Sequence, residues 1–207
     1  MIQIQHRVNS KKHLLSTSIK YGIEIDVRNH GGDLLVIHDP FSTDAIEFSE
    51  WLLAYNHKFL IVNVKEEGLE PKILSLMSQN KITNFFILDE SIPYIRKYAL
   101  KGISNFALRV SEFESIETAL ALNFHLKKYG KCVDWIWMDT FTGIPMPLES
   151  IKKLQNSGFK ICQVSPELHH IDEPKSWESR ILDFQSKNNL IVVPDMVCTK
   201  RPDLWEL

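Results

Sequence analysis

The sequence predicts an α/β fold, a compact (β/α)8 barrel built as one domain over residues 1–207. Three observations carry this. Apolar strand-like runs alternate with helical runs from end to end. Eight of the strand candidates are separated by helices. The 207 residues, 44% of them apolar, suffice for one sizeable core and lie near the lower end of the length that a complete barrel uses. A helix between two strands returns the chain to the same edge, so the strands run parallel. Eight such units suggest closure, and an open doubly wound sheet is the competing arrangement.

The strand candidates fall at 2–5, 22–27, 59–64, 84–88, 104–108, 134–138, 159–164 and 196–198. A further strand at 34–37 pairs back across the turn Asn29-His30-Gly31-Gly32-Asp33. A short apolar piece at 191–193 competes with 196–198 for the last barrel strand, and the second is favoured. Ser10 is placed to cap a helix running to about residue 21, with Leu14, Leu15 and Ile19 on its inner face. Further helices are expected over 47–56, 69–79, 91–100, from about 115, over 147–155 with a stop near Gly158, and over 177–187. No low-complexity segment, linker or repeat is found beyond the α/β alternation.

Charged residues make up 24%, the net charge is −2, and no long basic run occurs, so nothing asks for nucleic acid or a membrane surface as partner. No apolar run approaches the ~18 residues of a spanning helix. The start, Met-Ile-Gln-Ile-Gln-His-Arg, has neither the charged nor the apolar region of a secretory signal. Cys132, Cys162 and Cys198 cannot all pair within one chain, and none lies in a C-x-x-C arrangement. They are expected to be reduced thiols, two of them in the core, in a cytoplasmic protein. The oligomeric state is left open.

In a parallel barrel the working face is the C-terminal end of the strands. His6-Arg7 ends the first strand, and Glu24 and Asp26, then Arg28, the second. His38-Asp39 ends the hairpin strand, and Asn63-Val64-Lys65 the third. Later strand ends give Asp89, Arg109, Asp139, Ser165 and Lys200. Glu24 and Asp26 are two apart, so both leave the strand on one side. Facing a barrel interior they repel each other and lose hydration, and a divalent cation removes both problems. Asn63 and Lys65 also share a side. An amide oxygen can ligate a hard cation, whereas an ammonium suits a phosphate. Arg109, Asp139 and Lys200 are candidates for further substrate contact. The plainer readings are an ion-pair network around Glu24 and Asp26, structural histidines, and capping or pairing roles for Asp89, Arg109, Asp139 and Lys200. Trp135-Ile136-Trp137-Met138 is read as core packing.

The ordered set His6-Arg7, Glu24-x-Asp26, His38-Asp39 and Asn63-x-Lys65 resembles the glycerophosphodiester phosphodiesterase family, TIM barrels of the PLC-like phosphodiesterase superfamily. That family shows His-Arg, Glu-x-Asp, His-Asp and Glu-x-Lys at the corresponding places. The run from Val197 to Asp203 is similar to the family's closing Thr-Asp-x-Pro segment. His6-Arg7-Val8-Asn9 is also similar to the sphingomyelinase D-like toxins of the superfamily. The likeness covers the chain in layout and is specific mainly over residues 1–65.

The resemblance implies a divalent-metal-dependent phosphodiesterase acting on a small molecule. It places Glu24 and Asp26 as ligands of Mg2+ or Ca2+, with Asn63 in the third ligand position. It makes His6 and His38 the general acid–base pair, and Arg7 and Lys65 the phosphate holders. The attacker in that family can be a neighbouring hydroxyl of the substrate itself. Three features depart from the pattern. Asn63 replaces a glutamate ligand and lowers the charge of the site. The segment between His6 and Glu24 is short and lacks the family's Glu-Asn-Thr. Lys200 replaces the closing aspartate and makes the rim more basic. These leave another diester or a phosphorylated glycan precursor open as substrate. They also leave open a non-catalytic barrel that binds a phosphorylated or anionic ligand. An unrelated barrel enzyme, such as a sugar-phosphate isomerase, would give the carboxylates and histidines no joint role.

Overall fold

A computed structural model describes residues 1–42, 44–169, 176–188 and 193–206. In chain order they form β1 (Ile2–Gln5), α1 (Lys11–Ser16), β2 (Gly22–His30), β3 (Asp33–Val36), α2 (Phe48–Leu52), β4 (Leu60–Val64), α3 (Glu70–Gln79), β5 (Phe85–Leu88) and α4 (Ile92–Ala99). The chain continues through β6 (Ala107–Val110), α5 (Ile116–Lys127), β7 (Trp135–Met138), α6 (Leu148–Asn156), β8 (Lys160–Val164), α7 (Trp177–Asn188) and β9 (Met196–Thr199). A 3-10 turn follows β8 at Pro166–His169, and another follows β9 at Pro202–Trp205.

Among the described residues, eight parallel strands neighbour one another in the order β5-β4-β2-β1-β9-β8-β7-β6. The hairpin strand β3 runs antiparallel to β2, from Val27 opposite Val36 to His30 opposite Asp33. The free edges β5 and β6 meet at one parallel bridge, Ile87 with Phe106, where the Ile87 N–H donates to Asn105 O at 2.9 Å. The sheet is therefore a barrel with one narrow seam, and the open doubly wound alternative is set aside.

Strand alternation sorts the core into two layers. Ile4, Ile61, Phe86, Trp135, Trp137, Cys162 and Met196 point inward. Ile23, Ile25, Leu60, Val62, Ile136 and Ile161 point outward beneath the helices, against residues such as Ile73, Leu126 and Leu154. Phe59, Phe86 and Trp135 close one end of the interior, with ring centroids 5.3 to 5.6 Å apart. The inner column of β2 is Gly22, Glu24, Asp26. A Cβ on Gly22 would lie 2.3 Å from Ile4 Cδ1 and 3.0 Å from Phe59 O, so only glycine lets β2 approach its neighbours there.

Some boundaries differ from expectation. α1 stops at Ser16, and Leu15 and Ile19 are exposed while Leu14 is buried. The hydroxyls of Ser16 and Thr17 both donate to His13 O at 2.9 Å, and Thr17 leaves the helix in an extended conformation. β6 begins at Ala107, because the Asn105 amide donates to Phe85 O and the Ser104 hydroxyl to Asp134 before the ladder starts. Arg109 thus lies within the strand. β2 runs on to His30 through its pairing with β3. Of the apolar piece at 191–193, residues 191 and 192 lie outside the described residues, and β9 is the last barrel strand. Cys162 and Cys198 are free thiols in the barrel interior, and Cys132 is free and exposed. Among the described residues no helix is long and apolar enough to cross a membrane.

Candidate active site

The C-terminal end of the barrel is where inward positions turn from apolar to charged. On β2, Glu24 and Asp26 are 0% and 1% exposed. Strand register sets Asp26 beside Asn63 of β4, which is 8% exposed. Glu24 Oε2 accepts the backbone N–H of Arg7 at 2.7 Å. Asp26 Oδ2 accepts from the Asn9 amide at 2.8 Å, and the Asp26 backbone N–H donates back to Asn9 Oδ1 at 2.9 Å. This two-point clamp fixes the loop after β1 to the middle of β2. Lys65 Nζ lies 2.8 Å from Asp26 Oδ1, an ion pair at hydrogen-bond distance.

Two buried oxygens in this cluster, Glu24 Oε1 and Asn63 Oδ1, have no hydrogen-bond donor, and Asp26 Oδ1 has only the Lys65 ammonium. Leaving either of the first two unsatisfied costs about 1–3 kcal/mol, more where the group is charged. A hard cation with oxygen ligands would satisfy all three. Among the described residues no three His, Cys, Asp or Glu side chains are arranged to hold a metal ion, so a cation here would rest on two carboxylates and an amide.

The titration directions follow from burial. Burial, then the neighbouring Asp26, push the Glu24 carboxyl up to about 8. Burial also raises Asp26, but the Lys65 ammonium and the Asn9 amide outweigh it and hold that carboxyl below its usual value. Without a cation the pair therefore holds one proton, on Glu24. Burial, then Arg7, push His6 down to about 3, so its imidazole is neutral. His6 Nε2 lies 3.7 Å from Glu24 Oε2, and Nδ1 is buried without a partner.

His38 is oriented from both sides. Arg7 Nη2 lies 2.7 Å from Nε2, and Asp39 Oδ1 lies 2.8 Å from Nδ1. A guanidinium only donates, so Nε2 accepts and Nδ1 carries the proton given to Asp39. Arg28 Nε donates to His38 O at 2.9 Å, and the Ile37 N–H to Asp26 O at 2.9 Å, which anchors this loop on β2. Arg7 adopts a left-handed backbone, φ 54°, that turns its N–H onto Glu24 while its side chain reaches His38 and Asp26 (Nε to Oδ2 3.8 Å). The two histidines thus share one rim and are linked through Arg7.

The other side of the mouth is a chain of ion pairs. Lys65 stands 3.9 Å from Asp89, and Arg109 donates to Asp89 and, at 2.6 Å, to Asp139. Asp139 Oδ1 lies 2.5 Å from His169 Nε2, and the His169 ring packs on Phe141 with centroids 4.3 Å apart. Arg109 and Asp139 are each other's partners here, as the plainer reading had it. Lys200 lies over the Trp177 ring, 4.7 Å from its centroid, and burial, then Arg7, lower its pKa. Two clefts flank the buried carboxylates. One of about 510 Å³ is lined by Arg7, Asn9, His38 and Asp39, and one of about 530 Å³ by Lys65, Asp89, Glu90 and Arg109.

Three participants were not singled out from the sequence. Asn9 clamps Asp26. Glu167, fully buried, accepts from Thr199 Oγ1 at 2.6 Å and the Lys200 N–H at 2.9 Å, tying the end of β9 to the turn after β8. His169 pairs with Asp139. Each acts through a partner distant in the chain, which no local spacing announces.

No family model matches the chain, and no curated protein matches it. Solved structures do match. The glycerophosphodiester phosphodiesterase from Agrobacterium tumefaciens str. C58 superposes with a TM-score of 0.65 over 99% of this chain and 97% of that one, at 15% identity. A glycerophosphoryl diester phosphodiesterase from Parabacteroides distasonis ATCC 8503 gives 0.64 over 98% and 84%, at 12% identity. At these identities the likeness is one of fold, and it extends over nearly the whole chain.

Proposed function

We propose that this chain is a divergent member of the glycerophosphodiester phosphodiesterase family, a single barrel domain that hydrolyses a small phosphodiester with the help of a divalent cation. One observation carries the reading: buried oxygens of Glu24 and Asn63 without a donor lie beside the Asp26 carboxylate, on the rim that also holds His6, Arg7 and His38. The fold shared with phosphodiesterases of that name supports it.

Glu24, Asp26 and Asn63 would hold Mg2+ or Ca2+, which would stabilise charge on the phosphoryl oxygens of the transition state. Arg7 and Lys65 hold the phosphate. The arriving anion draws the Arg7 guanidinium from His38 Nε2, which frees that nitrogen to take a proton from solvent, and raises the proton affinity of His6. His6, held neutral, takes the proton of the attacking hydroxyl. His38, held in place by Asp39 at Nδ1, passes the proton taken up at Nε2 to the leaving alkoxide. Arg109, Asp139 and Lys200 border the substrate, with Arg109 and Asp139 shaping the cleft wall through their mutual pair. The buried thiols of Cys162 and Cys198 suit a reducing, cytoplasmic setting.

A second reading, a barrel that binds a phosphorylated or anionic ligand without turnover, is favoured by one contact. The Lys65 ammonium already neutralises Asp26 beside an amide where the family has a carboxylate. A panel of phosphodiesters incubated with purified protein and Mg2+, Ca2+ or Mn2+ separates the two. Hydrolysis that His38→Ala abolishes supports the enzyme. Ligand binding with no turnover under any metal supports the second reading.

A further inference from the structure

A second pair of carboxyls is buried away from the proposed cation ligands. Glu70 opens α3, Glu90 precedes α4, and they are 0% and 8% exposed. Glu70 Oε1 accepts the Gly68 N–H at 3.3 Å, but Glu70 Oε2 and both carboxyl oxygens of Glu90 meet no donor. The two carboxyls face each other, with Glu67, Lys97 and the Tyr98 hydroxyl around them and Tyr94 beside Tyr98. Two ionised carboxylates cannot share such a site. One proton between them turns repulsion into a charge-assisted O–H···O bond. The Gly68 N–H already occupies one Glu70 oxygen while both Glu90 oxygens lack a donor, which places the proton on Glu90. Burial, then Glu70, push the Glu90 carboxyl up to about 9.

The pair joins two turns that carry rim residues. Lys65 lies at the end of β4, in the turn that leads to Glu70. Asp89 immediately precedes Glu90 and takes a left-handed backbone, φ 66°, which a non-glycine residue keeps only when its surroundings hold it. Asp89 in turn stands between Lys65 and Arg109. The cleft of about 530 Å³ is lined by Lys65, Glu66, Glu67, Asp89, Glu90, Arg109 and Glu114, so Glu90 sits in the wall behind the phosphate-holding lysine.

We propose that Glu70 and Glu90 share one proton and serve as a positioning pair that holds Lys65 and Asp89 in place at the rim. The link to phosphate rests on the phosphodiesterase reading; the shared proton does not. An acid that holds its proton more tightly folded than unfolded stabilises the fold most at low pH. That stability is lost as pH rises from the ordinary carboxyl range, about 4.5, through about 9. Glu90→Gln keeps a donor toward Glu70 and removes the titration. Glu70→Gln is the second variant should the first fail to fold.

The experiment measures thermal midpoint and affinity for inorganic phosphate, by calorimetry, from pH 6 to 10. The expected result is a wild-type midpoint that falls more steeply from pH 6 to about 9 than that of Glu90→Gln, which keeps only the slope contributed by Glu24. At pH 10 the pair has lost its proton in most wild-type molecules, so phosphate affinity should fall severalfold relative to Glu90→Gln at the same pH. Identical pH profiles of the midpoint in wild type and variant would overturn the shared proton. Loss of phosphate affinity in Glu90→Gln already at pH 7 would overturn it as well. Absence of phosphate binding at every pH would overturn the positioning role and the phosphodiesterase reading behind it, with the thermal profile still deciding the proton.

Discussion

The two halves of the barrel mouth use the same residue types in opposite ways. On the β1–β2–β4 side, Glu24 and Asn63 each keep a buried oxygen without a donor, and His6 keeps a buried nitrogen without a partner. On the β5–β7 side, Asp89, Arg109, Asp139 and His169 pair in sequence. Buried polar atoms in folded proteins nearly always find partners, so a cluster of exceptions marks where something else completes them. Asp89, Arg109, Asp139 and His169 satisfy one another and form a wall, with the Glu70–Glu90 pair behind it. The proposed chemistry is therefore assigned to the rim of β1, β2 and β4, although both sides are rich in charge.

The largest expected contrast is catalytic. His38→Ala should lower kcat by about 10²–10⁴-fold, with substrate affinity largely kept, because His38 moves its proton in the transition state. His169→Ala, on the paired side, should leave kcat nearly unchanged. Steady-state kinetics on a diester substrate checks both, and equal losses would erase the distinction between the halves.

A smaller effect runs the other way. Asp139→Asn leaves Arg109 with one carboxylate fewer in a largely buried place and should destabilise the fold by about 1–3 kcal/mol. That is below the ~3–5 kcal/mol of a wholly buried pair, because Arg109 remains partly in water. Urea unfolding measures it, and metal affinity should not change. If metal affinity falls instead, the paired half takes part in cation binding.

The smallest effect sharpens the ligand assignment. Asn63→Glu should tighten divalent-metal binding by about tenfold, roughly 1.4 kcal/mol, and Glu24→Gln should loosen it by a similar amount. Without metal, Asn63→Glu should lower the melting temperature, since a third carboxylate then sits beside two others. Unchanged affinity in both variants would make these oxygens structural.

How much of this was legible in the sequence depended on distance along the chain. Strand alternation put Glu24 and Asp26 on one side of β2 and Asn63 with Lys65 on one side of β4, and the strand register makes that side the interior. The Asn29-His30-Gly31-Gly32-Asp33 turn announced the hairpin that delivers His38. Apolar periodicity overran α1, because Leu15 and Ile19 fit the pattern while the Ser16 and Thr17 hydroxyls end the helix by bonding His13 O. The Asn9 clamp and the Arg109–Asp139 pair join residues 17 and 30 positions apart, and nothing local says which charge meets which. Glu70 and Glu90 were the least legible, since a glutamate in a charged turn reads as solvated until the fold buries it.

The central claim is that the donor-less oxygens on the β2–β4 side form a cation site that supports diester hydrolysis. Turnover of bis-p-nitrophenyl phosphate, measured with EDTA and after adding back Mg2+, Ca2+ or Mn2+, tests it most directly. Chelation should abolish hydrolysis, at least one of these cations should restore it, and Glu24→Gln should need more cation for the same rate. Hydrolysis that continues undiminished in EDTA would contradict the claim.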